Sequence, residues 1–85
     1  MLKITMYSSQ GCGYCSSAER LLNSKGVSQF TKIRVDSEPG KLEEMIAKTN
    51  RRTVPQIFIG NLHVGGFDDL AALDRSGKLD QLLSS

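Results

Sequence analysis

Leu2, Ile4 and Met6 alternate with Lys3, Thr5 and Tyr7, a two-residue period that predicts a first strand. Ser8-Ser9-Gln10-Gly11 reads as a loop. From about Cys12 to Lys25 the spacing changes: Tyr14, Ala18, Leu21 and Leu22 fall on one helical face, and Gly26 stands where a helix ends. Phe30 to Val35 returns to alternation, with Thr31, Ile33 and Val35 on one side and Lys32 and Arg34 on the other. Asp36-Ser37-Glu38-Pro39 reads as a helix start, with Ser37 as N-cap and Pro39 in the first turn, where a missing N–H costs nothing. Leu42, Met45, Ile46 and Thr49 then mark a helix face at i, i+3, i+4 and i+7. Gln56-Ile57-Phe58-Ile59 is a short apolar strand, Gly60-Asn61 a two-residue turn and Leu62-His63-Val64 the returning strand. Gly65-Gly66 breaks it; Asp68 to Ser76 reads as a helix carrying Leu70 and Leu73, and a last short helix runs from about Lys78 to Leu83.

The order is β-α-β-α-β-β-α, ahead of that short terminal helix. A β-α-β opening demands a parallel pair with a right-handed crossover, and the hairpin adds antiparallel strands. The expectation is an α/β fold of thioredoxin type: a four-stranded mixed sheet with helices on both faces. At 85 residues the chain suits a single domain, 1–85. No apolar run approaches the roughly 18 residues of a membrane span. The first residues lack the apolar block and small-residue cleavage site of a signal peptide, so a cytoplasmic chain away from membranes is expected. A net charge of +2 is too small to argue for nucleic acid. Its distribution is uneven: residues 1–52 hold nine Lys/Arg against five Asp/Glu, and residues 53–85 hold two against four.

The two cysteines are too few to staple a small secreted fold. In a reducing compartment such a pair is catalytic or metal-binding instead. Gly11-Cys12-Gly13-Tyr14-Cys15 lies where the first strand hands over to the first helix. Free N–H groups at a helix N-terminus, with the helix dipole, favour an anion there, which biases a thiol towards the nucleophilic thiolate. Two intervening residues let the second sulfur reach the first one turn on. Cys12 is then the exposed attacking thiolate and Cys15 the more buried resolving thiol. A zinc site wants four ligands, and the chain adds only His63 to the pair. An inert buried pair is the other alternative, but C-x-x-C in a β-α-β context is a redox signal. His63 reads most simply as a surface strand residue.

Three blocks, Tyr7-Ser8-Ser9-Gln10-Gly11-Cys12-Gly13-Tyr14-Cys15, Thr53-Val54-Pro55-Gln56-Ile57-Phe58-Ile59 and Gly65-Gly66-Phe67-Asp68-Asp69-Leu70, resemble the signature blocks of the glutaredoxins, most of all the small bacterial dithiol kind of glutaredoxin 3 type. The resemblance covers nearly the whole chain in order and spacing. It implies a minimal thioredoxin fold and glutathione-dependent reduction of protein disulfides and glutathione mixed disulfides. By resemblance Cys12 attacks the substrate sulfur, and either glutathione or Cys15 resolves the mixed disulfide. Glutathione is then a co-substrate, with no permanently bound cofactor. The partners are disulfide-bonded or glutathionylated proteins, with no nucleic acid and no membrane, and the chain acts as a monomer. Pro55 is implied to be cis, and Val54 to pair its backbone with the cysteinyl part of glutathione, flanked by Thr53. Gly65-Gly66 lets the backbone approach closely. Asp69 is implied to meet the γ-glutamyl ammonium, and free N–H groups around Gly66, Phe67 and Asp68 the γ-glutamyl carboxylate; plain helix capping is the other reading, for Asp68 in particular. Arg51, Arg52 and Gln56 are the candidates for the glycyl carboxylate, Arg52 and Gln56 foremost, and Tyr14 is implied to shield the sulfurs.

The chain departs from the family pattern twice. Gly13 stands where proline is common, which frees the backbone at the helix start and restores an N–H. Ser9 stands where lysine is frequent, which removes one positive charge near the thiolate. Some relatives without that proline bind a [2Fe–2S] cluster between two subunits through the first cysteine of each. A glutathione-ligated cluster carrier or sensor, with Cys12 as the metal ligand, is therefore the alternative function.

Overall fold

The computed structural model describes residues 3–84, so Leu2, expected to open the first strand, lies outside the described residues. The architecture is assembled on β1 (Ile4–Ser8), which pairs in parallel with β2 (Thr31–Arg34) and antiparallel with β3 (Gln56–Ile59). β4 (Leu62–Gly65) closes a four-stranded sheet of order β2-β1-β3-β4. Helices α1 (Gly13–Ser24), α2 (Lys41–Thr49), α3 (Phe67–Ser76) and α4 (Lys78–Leu83) complete the chain. This is the mixed thioredoxin-like sheet expected from the element order.

Alternation works on β1 in a way the hydropathy pattern conceals. Ile4 and Met6 face a core shared with Ala18 and Leu22 of α1, Ile57 and Ile59 of β3, and Leu70 and Leu79. Tyr7 faces the other way, yet it is 1% exposed. Its ring meets Phe58 edge-on at 6.1 Å, and its hydroxyl donates to Glu44 of α2 at 2.6 Å. Helices therefore cover both faces of the sheet, and a central strand covered on both sides does not alternate cleanly between apolar and polar. Ser8 is likewise the buried last residue of β1 rather than part of the loop, its carbonyl accepting the Val35 N–H at 2.9 Å.

Two further expectations are corrected. α1 buries Cys15, Ala18 and Leu22, and Tyr14, placed on the packing face by spacing, is 65% exposed. α2 starts at Lys41 after Gly40, not at Ser37-Glu38-Pro39. Residues 36–38 fold back onto β2: Asp36 grips the Arg34 guanidinium at 2.9 and 2.8 Å, and Glu38 accepts the Arg34 N–H at 2.9 Å. Those side chains satisfy the strand end, so they cannot open a helix. Among the described residues, no helix is long and apolar enough to cross a membrane.

Burial, reinforced by the Glu44 carboxylate to which it donates, pushes the Tyr7 phenol up from 10.0 to about 12. Its contribution to stability is complete below the unfolded value and lost as pH rises through about 12. Denaturant midpoints taken between about pH 10 and 12 are predicted to fall more steeply for the wild type than for Tyr7→Phe. Parallel curves would show that Tyr7 does not hold its proton in the fold.

Candidate active site

Cys12 occupies the N-cap of α1 with extended backbone, φ −89° and ψ 107°, because the strand ends and the helix begins within a few residues. Its Sγ accepts the N–H of Cys15 at 3.1 Å, so a sulfur fills the capping role usually given to oxygen. Cys15, 3% exposed, is bonded to Cys12 in a disulfide with the Cα atoms 5.2 Å apart. Cys12 is half-buried, and Gly13 follows it as an exposed first helical residue. Cys12 is therefore the more accessible of the two cysteines.

Across from the cysteines, the Val54–Pro55 peptide is cis, as the family resemblance implied. The Val54 carbonyl oxygen lies 3.8 Å from Cys12 Sγ. Here a cavity of about 360 Å³ opens, walled by Tyr14, Thr53, Val54 and Pro55 on one side and by Arg51, Gly66, Phe67, Asp68 and Asp69 on the other. Tyr14 stacks on Phe67 with centroids 6.2 Å apart, which ties the first turn of α1 to the first turn of α3.

Asp69 organises the far wall. Its Oδ2 accepts the Gly66 N–H at 3.0 Å and Arg51 Nη1 at 3.1 Å. Those bonds, the backbone one foremost, hold its carboxyl below the usual carboxylate range, so it is ionised at neutral pH. Capping in this turn thus belongs to Asp69, whereas Asp68 is exposed on the cavity rim. The approach is close enough to require glycine: Gly65 has φ +116°, and a Cβ there would strike the Asp69 carboxylate and sit 3.1 Å from Arg51 Nη1.

The remaining sequence candidates lie elsewhere. Arg52 is exposed and does not line the cavity; its neighbour Arg51 does. Gln56 is 1% exposed and faces inward. Its amide donates to Thr53 O at 3.0 Å and Thr53 Oγ1 at 3.3 Å, while its oxygen meets His63 Nε2 at 2.8 Å. His63 is therefore half-buried, not a surface residue. Burial, and secondarily the charge of Arg51, lowers its pKa, which keeps the ring neutral and donating to Gln56. This chain of bonds braces the 53–56 segment from behind. A second cavity, of about 460 Å³, follows the 8–13 loop to Cys15, Lys32 and Arg34. Its cations are already paired, Lys32 with Glu19 at 3.0 Å and Arg34 with Asp36 at 2.8 Å. Among the described residues, no group of three or more His, Cys, Asp or Glu comes together that could hold a metal ion.

Comparison with known proteins gives one result from each direction. The glutaredoxin family model matches residues 4–64. The chain is 51% identical over 83 residues to glutaredoxin 3 of Escherichia coli, covering 98% of this chain and 99% of that protein. It is 49% identical over 84 residues to a glutaredoxin of Neisseria meningitidis, covering 99% of each. Among solved structures, a buckwheat glutaredoxin–glutathione complex superposes with a TM-score of 0.87 at 34% identity, covering 98% of this chain and 77% of that one. A Brucella melitensis glutaredoxin superposes with a TM-score of 0.83 at 47% identity, covering 98% and 89%.

Gly65→Ala tests the close approach of β4 to Asp69. The added Cβ must displace the carboxylate in a backbone region that side chains avoid. A loss of about 1–3 kcal/mol in denaturant unfolding is predicted, together with a raised KM in turnover. Wild-type stability and KM would show that Asp69 is free to move aside.

Proposed function

The chain belongs to the glutaredoxin family and is a glutathione-dependent thiol–disulfide oxidoreductase of the dithiol type; we propose that its chemistry runs through Cys12 as nucleophile and Cys15 as resolving thiol. The observation that carries this reading is the position of the Cys12–Cys15 disulfide: at the N-cap of α1 and beside the cavity walled by Val54 and Asp69. The disulfide is the oxidised end of such a cycle.

On a glutathionylated protein, the Cys12 thiolate attacks the glutathione sulfur, forms Cys12–S–S–glutathione and expels the protein thiolate. The Cys15 N–H at 3.1 Å from Cys12 Sγ donates to that sulfur when it carries charge, as attacking group and again as leaving group. A second glutathione thiolate then attacks the bound glutathione sulfur, releasing glutathione disulfide and the Cys12 thiolate. On a protein disulfide, Cys15 attacks Cys12 Sγ in the mixed disulfide, which frees the protein and makes the Cys12–Cys15 bond. Two glutathione thiols then reduce that bond.

Glutathione lies, in this reading, along the 360 Å³ cavity. The Val54 backbone pairs with its cysteinyl residue as an added strand pairs with a sheet edge, with Thr53 beside it and Pro55 beneath. Asp69, ionised, takes the γ-glutamyl ammonium. The first-turn N–H groups of Phe67 and Asp68 have no intrahelical carbonyl and take the γ-glutamyl carboxylate. Arg51 lines the cavity and is the cation we assign to the site, in place of Arg52 and of the Gln56 side chain. Tyr14, stacked on Phe67 in the cavity wall, is the residue we assign to shielding the sulfurs. The alternative of a cluster-bridged dimer is not favoured: the family match, the full-length likeness to glutaredoxin 3 and the fit to a glutaredoxin–glutathione complex support thiol–disulfide exchange. We further read residues 1–85 as one domain that acts as a monomer in the cytoplasm, on disulfide-bonded or glutathionylated proteins, without nucleic acid, membrane or a permanent cofactor.

Turnover of a glutathione mixed disulfide, coupled to glutathione reductase, tests the cysteine roles. Cys12→Ser is predicted to be inactive. Cys15→Ser is predicted to keep activity on glutathione mixed disulfides and to lose it on protein disulfides that need both thiols. An active Cys12→Ser overturns the assignment.

The same assay tests the binding wall. Asp69→Ala removes the partner proposed for the γ-glutamyl ammonium, and a charge-assisted hydrogen bond at a half-exposed site is worth about a tenfold rise in KM. An unchanged KM removes Asp69 from the glutathione site while leaving the cysteine chemistry intact.

A further inference from the structure

Ser8 Oγ is the one buried side-chain oxygen or nitrogen without a hydrogen-bond partner among the described residues, in a residue 2% exposed. Such a group costs free energy in the state that leaves it unpaired, and a state that pairs it is favoured by comparison. Its place in the fold identifies that state. Ser8 continues the core-facing row of β1, after Ile4 and Met6. Cys15 begins the buried row of α1, ahead of Ala18 and Leu22. Ile4, Met6, Ala18 and Leu22 pack in one cluster. In a β-α crossover the C-terminal end of the strand and the N-terminal end of the helix lie at the same edge of the sheet. The two rows therefore end together, and Ser8 and Cys15 line the same cavity.

We propose that Ser8 is a positioning residue for the resolving thiol, its hydroxyl left without a partner in the disulfide state and accepting the Cys15 S–H when the disulfide is reduced. This rests on the assignment of Cys12 as the attacking thiolate and Cys15 as the thiol that keeps its proton. Reduction by two glutathione thiols breaks the Cys12–Cys15 bond, forms glutathione disulfide, leaves Cys12 as thiolate and Cys15 as thiol, and releases one proton. In the disulfide neither sulfur carries a hydrogen, so Ser8 has nothing to accept from that side. In the reduced form the new S–H meets an unpaired acceptor. Ser8 thus penalises the oxidised state and steadies the reduced one, which makes the disulfide easier for glutathione to open.

Ser8→Ala removes the hydroxyl from a buried position without adding bulk. Equilibration of wild type and variant in glutathione buffers measures the shift. The variant is predicted to favour its disulfide about fivefold more, the size of one neutral hydrogen bond, which is about 20 mV more negative on the two-electron scale. The S–H stretching band of the reduced protein gives a signature that a packing role would not move. With two cysteines in the chain and Cys12 ionised, the band belongs to Cys15. It is predicted to lie at lower frequency in the wild type than in Ser8→Ala, and to be absent from Cys15→Ser. An unmoved potential or an unmoved band overturns the proposal for Ser8 alone. A band that survives in Cys15→Ser overturns the cysteine assignment beneath it, and the proposal falls with it.

Discussion

The chemistry depends on one contact at the head of α1: the Cys15 N–H directed at Cys12 Sγ across 3.1 Å. A helix start has four N–H groups without intrahelical carbonyls, and here a sulfur is placed where a capping oxygen would stand. The helix needs an acceptor at that point, and the thiolate needs donors. Each supplies what the other lacks, so the reactive form of the cysteine is part of how the helix begins. In the proposed mechanism the Cys12 nucleophile then requires no separate base.

Everything else in the fold holds that junction steady. β1 is paired on both edges and covered on both faces, by the apolar core on the Met6 side and by the Tyr7–Glu44 contact with α2 on the other. It delivers Cys12 at a fixed height above the sheet. From the opposite side, β3 is entered through Val54–Pro55, with Gln56 bonded to Thr53 and His63 behind it. The hairpin then turns the chain back so that Gly65, past a shift in the β3–β4 register, can let Asp69 close on Gly66 and Arg51. The disulfide can open and close because it is not what holds these elements together. Buried side chains do that.

The sequence makes the element order and the cysteine pair legible for different reasons. Element order follows from periods of two and of three to four, and the Cys12–Cys15 spacing has meaning only at a strand-to-helix junction, which those periods locate. Legibility failed where a residue's role depends on contacts distant along the chain. Tyr7 and Ser8 look like a polar face and a loop because a central strand buries both sides. Ser37 and Pro39 look like a helix start, but Asp36 and Glu38 are drawn back to Arg34. Arg51 and Arg52 are indistinguishable in sequence; the direction of the backbone before the cis proline puts one in the cavity wall and the other in solvent. No local pattern joins His63 to Gln56, because the hairpin alone brings them together.

Selective alkylation of the reduced protein tests the capped-thiolate picture most directly. Substoichiometric iodoacetamide at about pH 6 reacts with thiolates and spares ordinary thiols, and mass spectrometry of the digest reads the label at each cysteine. Cys12 is predicted to take nearly all of it, faster than a free cysteine does, with Cys15 unmodified. Equal labelling of the two, labelling of Cys15 first, or a Cys12 rate no higher than that of free cysteine would contradict the picture.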